Sequence, residues 1–215
     1  MLTYKLYKFF RIDKLKKERS VLTDCRGPGE GIWDILGYYD PLKYEITICD
    51  SRIEEFAKSL AISINSDETT TTLVLRELVR LHEHAHSLLH TGKISSVRRF
   101  RKGYRNLPRE INEPVTEFIA WSTIKKFGTK FIEKVFEEID KKSPKYYRNW
   151  RKIKQKIDSK SKIDERFSGS IQYISFIPSL ISIVRRGICD DFNSFLRKID
   201  ENWNTILTGT LAFRL

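Results

Sequence analysis

The sequence predicts an α+β fold: a small sheet near the N-terminus, a set of helices behind it, and a helical C-terminal extension. Three observations carry this. Beyond residue 50, apolar side chains recur mostly at helical spacing. One short run, YEITIC at 44–49, alternates as a half-buried strand does. The chain has 215 residues, 40% of them hydrophobic and 12% aromatic, enough for one good-sized core with a smaller appendage and too apolar for wholesale disorder.

In chain order, residues 1–20 are basic and aromatic. Leu2, Tyr4 and Leu6 permit either a strand or a helix. RGPGEG at 26–31 is a loop. In YEITIC, Tyr44, Ile46 and Ile48 share one face, and Glu45 and Thr47 the other. Ser51 and Glu54 have the spacing of a capping box, which opens a helix with Ile53, Phe56, Ala57 and Leu60 inward. The longest helix is predicted over 70–90, with Leu75, Leu78, Val79, Leu81, Ala85, Leu88 and Leu89 on its apolar face and Gly92 as its stop. A basic loop over 93–111 follows. The next helix is predicted over 113–127, with Asn112 as N-cap and Pro114 in its first turn, and another over 130–140. Ser143-Pro144 marks a boundary, so we read 1–140 as the core and 141–215 as the extension. Helices are expected there at 146–158, 170–186 and 190–207.

Charge and cysteines narrow the function classes. Forty Lys+Arg against 28 Asp+Glu give a formal charge of +12. Residues 5–19, 93–109 and 141–162 contribute +5, +7 and +9, so the remainder is acidic. The basic segments 93–109 and 141–162 are candidate contacts for nucleic acid, the second with Tyr146, Tyr147 and Trp150 among its cations. The competing reading is a solvated helix face with inward aromatics. Cys25, Cys49 and Cys189 are too few and too scattered for a disulfide framework or a cysteine zinc site, which fits a reducing cytoplasm. No signal peptide or membrane-spanning run is visible, so a soluble cytoplasmic protein with no membrane partner is expected.

All four histidines, His82, His84, His86 and His90, fall within nine residues. His82-Glu83-His84-Ala85-His86 is an H-E-x-x-H motif on the longest predicted helix. Four residues apart, His82 and His86 project from one face and can share a zinc ion, Zn2+. Glu83 lies about 100° round the helix, where it reaches a water on the metal as general base without being a ligand. A chance cluster of surface or core histidines is the bland alternative. No histidine follows His90. Leu89 and Gly92 stand where the H-E-x-x-H-x-x-G-x-x-H pattern needs glycine and histidine. The third ligand is then an acid from a later helix: Glu110, Glu113 or Glu117. Glu113 is the preferred ligand. Glu117, one turn on, is either the alternative ligand or a hydrogen-bond partner for a ligating histidine. His84 points off the ligand face and is expected to be solvent-exposed or a partner to the ligands.

Together, H-E-x-x-H and the later Asn112-Glu113-x-x-x-Glu117 resemble the gluzincin metallopeptidases, in which the first acid binds zinc and the second supports a histidine. His82, Glu83, His86 and His90 also resemble the H-E-x-x-H-x-x-x-H of small zincins of the ImmA/IrrE type, over roughly residues 30–127. The resemblance implies a zincin-like core and a peptidase acting on a protein or peptide substrate. Zinc would activate water, Glu83 would carry the proton to the leaving amine, and a donor would hold the oxyanion. His90 and Tyr104 are the candidate cleft residues for that donor, and the YEITIC strand is a candidate pairing edge for a peptide. The alternative class is a basic nucleic-acid-associated or protein-interaction module with an inactive zincin-like fold.

Overall fold

The structure, a computed structural model, describes residues 1–12, 17–22, 25, 32–94, 104–163, 172–186 and 189–212. The predicted loop at 26–31 and residues 95–103 of the predicted basic loop lie outside the described residues.

Leu2 and Leu6 stand four residues apart and both are buried, together with Thr3 and Tyr7, while Tyr4 is exposed. That is a helical stripe, so the N-terminal segment is helix α1 (Leu2–Phe9) and the strand option is excluded. Strand β1 (Lys17–Val21) follows, then the short helix α2 (Ile32–Leu36), which runs directly into β2 (Gly37–Asp40). Strand β3 (Glu45–Cys49) completes a three-stranded mixed sheet in the order β1-β3-β2. β1 pairs parallel with β3, Lys17 opposite Glu45, and β2 pairs antiparallel, Gly37 opposite Ile48.

The sheet corrects two expectations from YEITIC. All five residues of β3 are buried, including Glu45 and Thr47, so it has no polar solvent face. It is also the central strand, with both backbone edges occupied, so it cannot pair with a peptide; the outer edges belong to β1 and β2. Tyr44, predicted as the first inward strand residue, is half exposed with φ 54° and ends the turn before the strand.

Helix α3 (Asp50–Ile64) starts two residues earlier than a Ser51–Glu54 capping box implies, with Cys49 as N-cap and no side-chain cap. Ser51 is thus inside the first turn and the capping box does not form. Asp50 is buried there and pairs with Arg76 at 3.0 Å. Ile53, Ala57 and Leu60 are inward as expected; Phe56 is half-buried under the Lys142 ammonium. Asn65 ends α3 in the left-handed conformation.

Helix α4 (Glu68–Thr91) is the longest, at 24 residues. Asp67 accepts a hydrogen bond from Thr70 N–H at 2.7 Å at its start, and Gly92 ends it at φ 61°. Helix α5 (Arg109–Phe127) begins four residues before the predicted start, straight after Pro108, so Asn112 is not its cap. Pro114 is consequently inside the helix rather than in its first turn. Lacking an N–H, it cannot donate to the Glu110 carbonyl. Helix α6 (Lys130–Lys142) is capped by Thr129, which accepts from Ile132 N–H. Then come α7 (Trp150–Ile163), α8 (Ile177–Arg185), α9 (Phe192–Glu201) and α10 (Trp203–Ala212). The single helix predicted over 190–207 is two helices, broken at Asn202 and opened by a capping box of Asp191 and Ser194.

The chain forms two compact units. The first comprises 1–87 and 123–144: the sheet, α1 to α3, most of α4, the end of α5, and α6. The second comprises 88–122 and 145–215. Within the first, α3 packs on α6, α2 and β1. Within the second, α8 packs on α9 and α10 around Leu180, Ile181, Phe195, Ile199, Ile206 and Leu207, all buried. Helices dominate and the sheet is small, which is an α+β arrangement.

One further correction concerns the cysteines. Cys25 and Cys49 are joined as a disulfide, with Cα atoms 5.6 Å apart, a separation that suits the bond. They are 24 residues apart in sequence, and nothing local signals their proximity. Cys189 is free and buried.

Candidate metal centre

Burial around α4 brings the polar groups together. Its apolar residues Leu75, Leu78, Leu81, Ala85, Leu88 and Leu89 are all inside. So are the residues between them: His82 is 1% exposed, Glu83 3% and His86 8%. Charged or polar groups so deep need partners or a ligand. His82 and His86 turn their Nε2 atoms to within 3.0 Å of each other, as i, i+4 spacing allows.

Glu113 of α5 is also buried, and His82, His86 and Glu113 offer ligand atoms all within 4.8 Å of one another. A tetrahedral ion with bonds of about 2.0–2.1 Å to nitrogen spaces its ligands by roughly 3.3 Å. The three side chains therefore form a buried group that could hold a metal ion. Two imidazoles and a carboxylate suit a divalent first-row cation, and three protein ligands leave a fourth position open. Of the three acids weighed from sequence, Glu113 is the one grouped with the histidines. Glu110 is exposed in the first turn of α5, and Glu117 is buried one turn beyond Glu113.

Two features around His82 and Glu83 escaped the sequence. Trp33 of α2, itself 1% exposed, stacks on the His82 ring with centroids 4.8 Å apart and planes at 11°. Gly37, at the start of β2, lies against α4 where a side chain would not fit. A Cβ there would come 2.7 Å from Val79 Cγ1, 3.0 Å from the Thr47 carbonyl and 3.5 Å from Glu83 Cγ. Five residues thus bring one group to His82 and another to Glu83. IWDILG carries no spacing that marks this.

His84 corrects its sequence reading. It is fully buried, not solvent-exposed, and it faces a different set of residues. Its Nε2–H donates to Glu18 of β1 at 2.9 Å, and its Nδ1 accepts from the Tyr7 hydroxyl of α1 at 3.0 Å. The carboxylate fixes this tautomer, since Glu18 can only accept. Arg80 donates to both Glu18 oxygens at 2.7 and 2.9 Å and to Glu77 at 3.2 Å; Glu77 accepts the Thr3 N–H. Burial holds the His84 pKa below its ordinary value and pushes that of Tyr7 up, so both stay neutral. Burial also works to raise Glu18, but hydrogen bonds from His84 and Arg80 and the Arg80 charge outweigh it and bring it to about 2. Tyr7 and Glu18 lie far from His84 in sequence, so no motif could announce the network.

His90 and Tyr104 do meet. Their rings are 4.7 Å apart, and the Tyr104 hydroxyl is 3.3 Å from the Asn112 amide, next to Glu113 in sequence. The end of α4 is held by Arg185, a buried residue of α8 that sequence reading passed over. It donates to the carbonyls of Leu89, at 3.2 Å, and of His90. Gly92 leaves room for it: a Cβ there would overlap the guanidinium.

In the basic run at 141–162, Tyr147 and Trp150 are buried and so present no open face for a base to stack on. Lys156 and Lys160 pair with Asp200 of α9, at 2.7 and 3.2 Å, and Lys154 with Asp158. Arg151 and Lys152 are exposed. Among the described residues no helix is long and apolar enough to cross a membrane. No protein family, no curated protein and no solved structure matches this chain.

Proposed function

We propose that the chain is a zinc-dependent peptidase of zincin-like build that acts on a protein or peptide substrate. The observation that carries this is the buried His82–His86–Glu113 group with Glu83 adjacent to the first ligand on the same helix. Zinc bound there would polarise a carbonyl and lower the pKa of its water. The chain's own residues supply the rest. Glu83, sequestered from solvent and fixed beside Gly37, takes the proton from the attacking water and returns it to the leaving amine. His90 and Tyr104 offer N–H and O–H donors for the developing oxyanion. Glu117, buried one turn beyond Glu113, is the alternative ligand or a support for a ligating histidine. The outer edges of β1 and β2 are where an extended peptide could add to the sheet.

The test is one variant with two readouts. Glu83→Gln should retain about one zinc per chain and lose hydrolysis of an unfolded protein substrate by at least a hundredfold. Full activity in Glu83→Gln would refute the general-base assignment. Salt-dependent nucleic-acid binding that survives loss of zinc would instead favour a non-catalytic basic module.

A further inference from the structure

Trp33 has an unexplained atom. Its indole Nε1–H is buried and has no hydrogen-bond partner among the described residues. An orphaned buried donor is costly, and phenylalanine would fill the same stack without it. The nitrogen belongs to the ring system stacked on His82, which puts this unmet donor in the immediate surroundings of that imidazole. Within the first unit the indole also packs against Phe136 of α6, with ring centroids 6.5 Å apart, so its place is fixed from a second side.

Building on the metal-site reading above, we propose that Trp33 belongs to the centre in two ways. Its face fixes the His82 imidazole, and its N–H donates to an oxygen atom of the molecule bound there. The acceptor class is a carbonyl, carboxylate or hydroxamate oxygen, as a peptide or its analogue presents. Trp33 is thus a positioning residue for the ligand and a contact for the bound oxygen. The two roles separate on substitution: Trp33→Phe keeps a ring on His82 and removes only the donor, whereas Trp33→Leu removes both.

The experiment measures two affinities in the intact chain: zinc by chelator competition, and acetohydroxamate by titration of the zinc-loaded protein. In Trp33→Phe, zinc affinity should stay within about threefold of wild type while acetohydroxamate binding weakens about three- to tenfold, the loss of one hydrogen bond. In Trp33→Leu, zinc affinity should fall about tenfold or more, as expected when support of a ligand is removed. Circular dichroism checks that each variant folds, and Trp33→Phe alone decides the donor role if Trp33→Leu does not. Unchanged acetohydroxamate binding in Trp33→Phe would overturn the donor role, and unchanged zinc affinity in a folded Trp33→Leu the positioning role. A wild type that takes up no zinc would remove the metal reading itself, an outcome distinct from either.

Discussion

At the scale of single residues, α4 uses its histidines in two directions. His82 and His86 converge on Glu113, while His84 ties the helix to α1 and β1 through Tyr7 and Glu18. Glu18 makes this second direction measurable. Its pKa falls from an ordinary 4.5 to about 2, so the native state favours the carboxylate. The stabilisation is fully present above the unfolded value and is lost as pH falls through the folded one. At roughly 1.4 kcal/mol per unit, it is of the order of 3 kcal/mol. Denaturant titrations should find Glu18→Gln less stable than wild type at pH 7. They should also find that its stability changes less between pH 5 and pH 2. The H-E-x-x-H spacing and the preference for Glu113 were legible because both are local patterns on helices. His84 was misread for the same reason: its partners come from distant parts of the chain, and helical geometry gives a direction without saying what waits there.

At the scale of elements, α2 and β2 do much to arrange the first unit. α2 delivers Trp33 to His82, and β2 can approach α4 only because residue 37 has no side chain. Gly37→Ala should therefore overpack the helix–strand contact. We expect a loss of about 1–3 kcal/mol in denaturant unfolding, because Val79 and the Thr47 carbonyl must give way. The Cys25–Cys49 bond closes a loop of 24 residues, for which chain entropy predicts about 3 kcal/mol. Cys25→Ser should lower stability by up to that amount, whereas Cys189→Ser should not lose this term. Helix positions were readable from apolar periodicity, but ends were not. α3 and α5 begin earlier than Ser51 and Asn112 suggested: Asp50 finds Arg76, and the Pro108 carbonyl accepts the Asn112 N–H at the start of α5.

At the scale of the whole molecule, the +12 charge first points to polyanions. The structure qualifies that on the C-terminal segment, where Lys154, Lys156 and Lys160 have acidic partners and Tyr147 and Trp150 are buried, with Tyr146 half-buried. The α+β class was legible from one alternating run and many amphipathic stretches. The order of the sheet was not, since strand pairing is a long-range choice that period alone does not encode. The proposed function rests on the buried His82–His86–Glu113 group, so its most direct test is metal content. Elemental analysis of purified wild type and of His82→Ala and Glu113→Ala, after dialysis against zinc-buffered solution, gives the answer. The account predicts about one zinc per wild-type chain, and less than a tenth of that in either variant. A wild type without zinc, or variants that keep it, would contradict it.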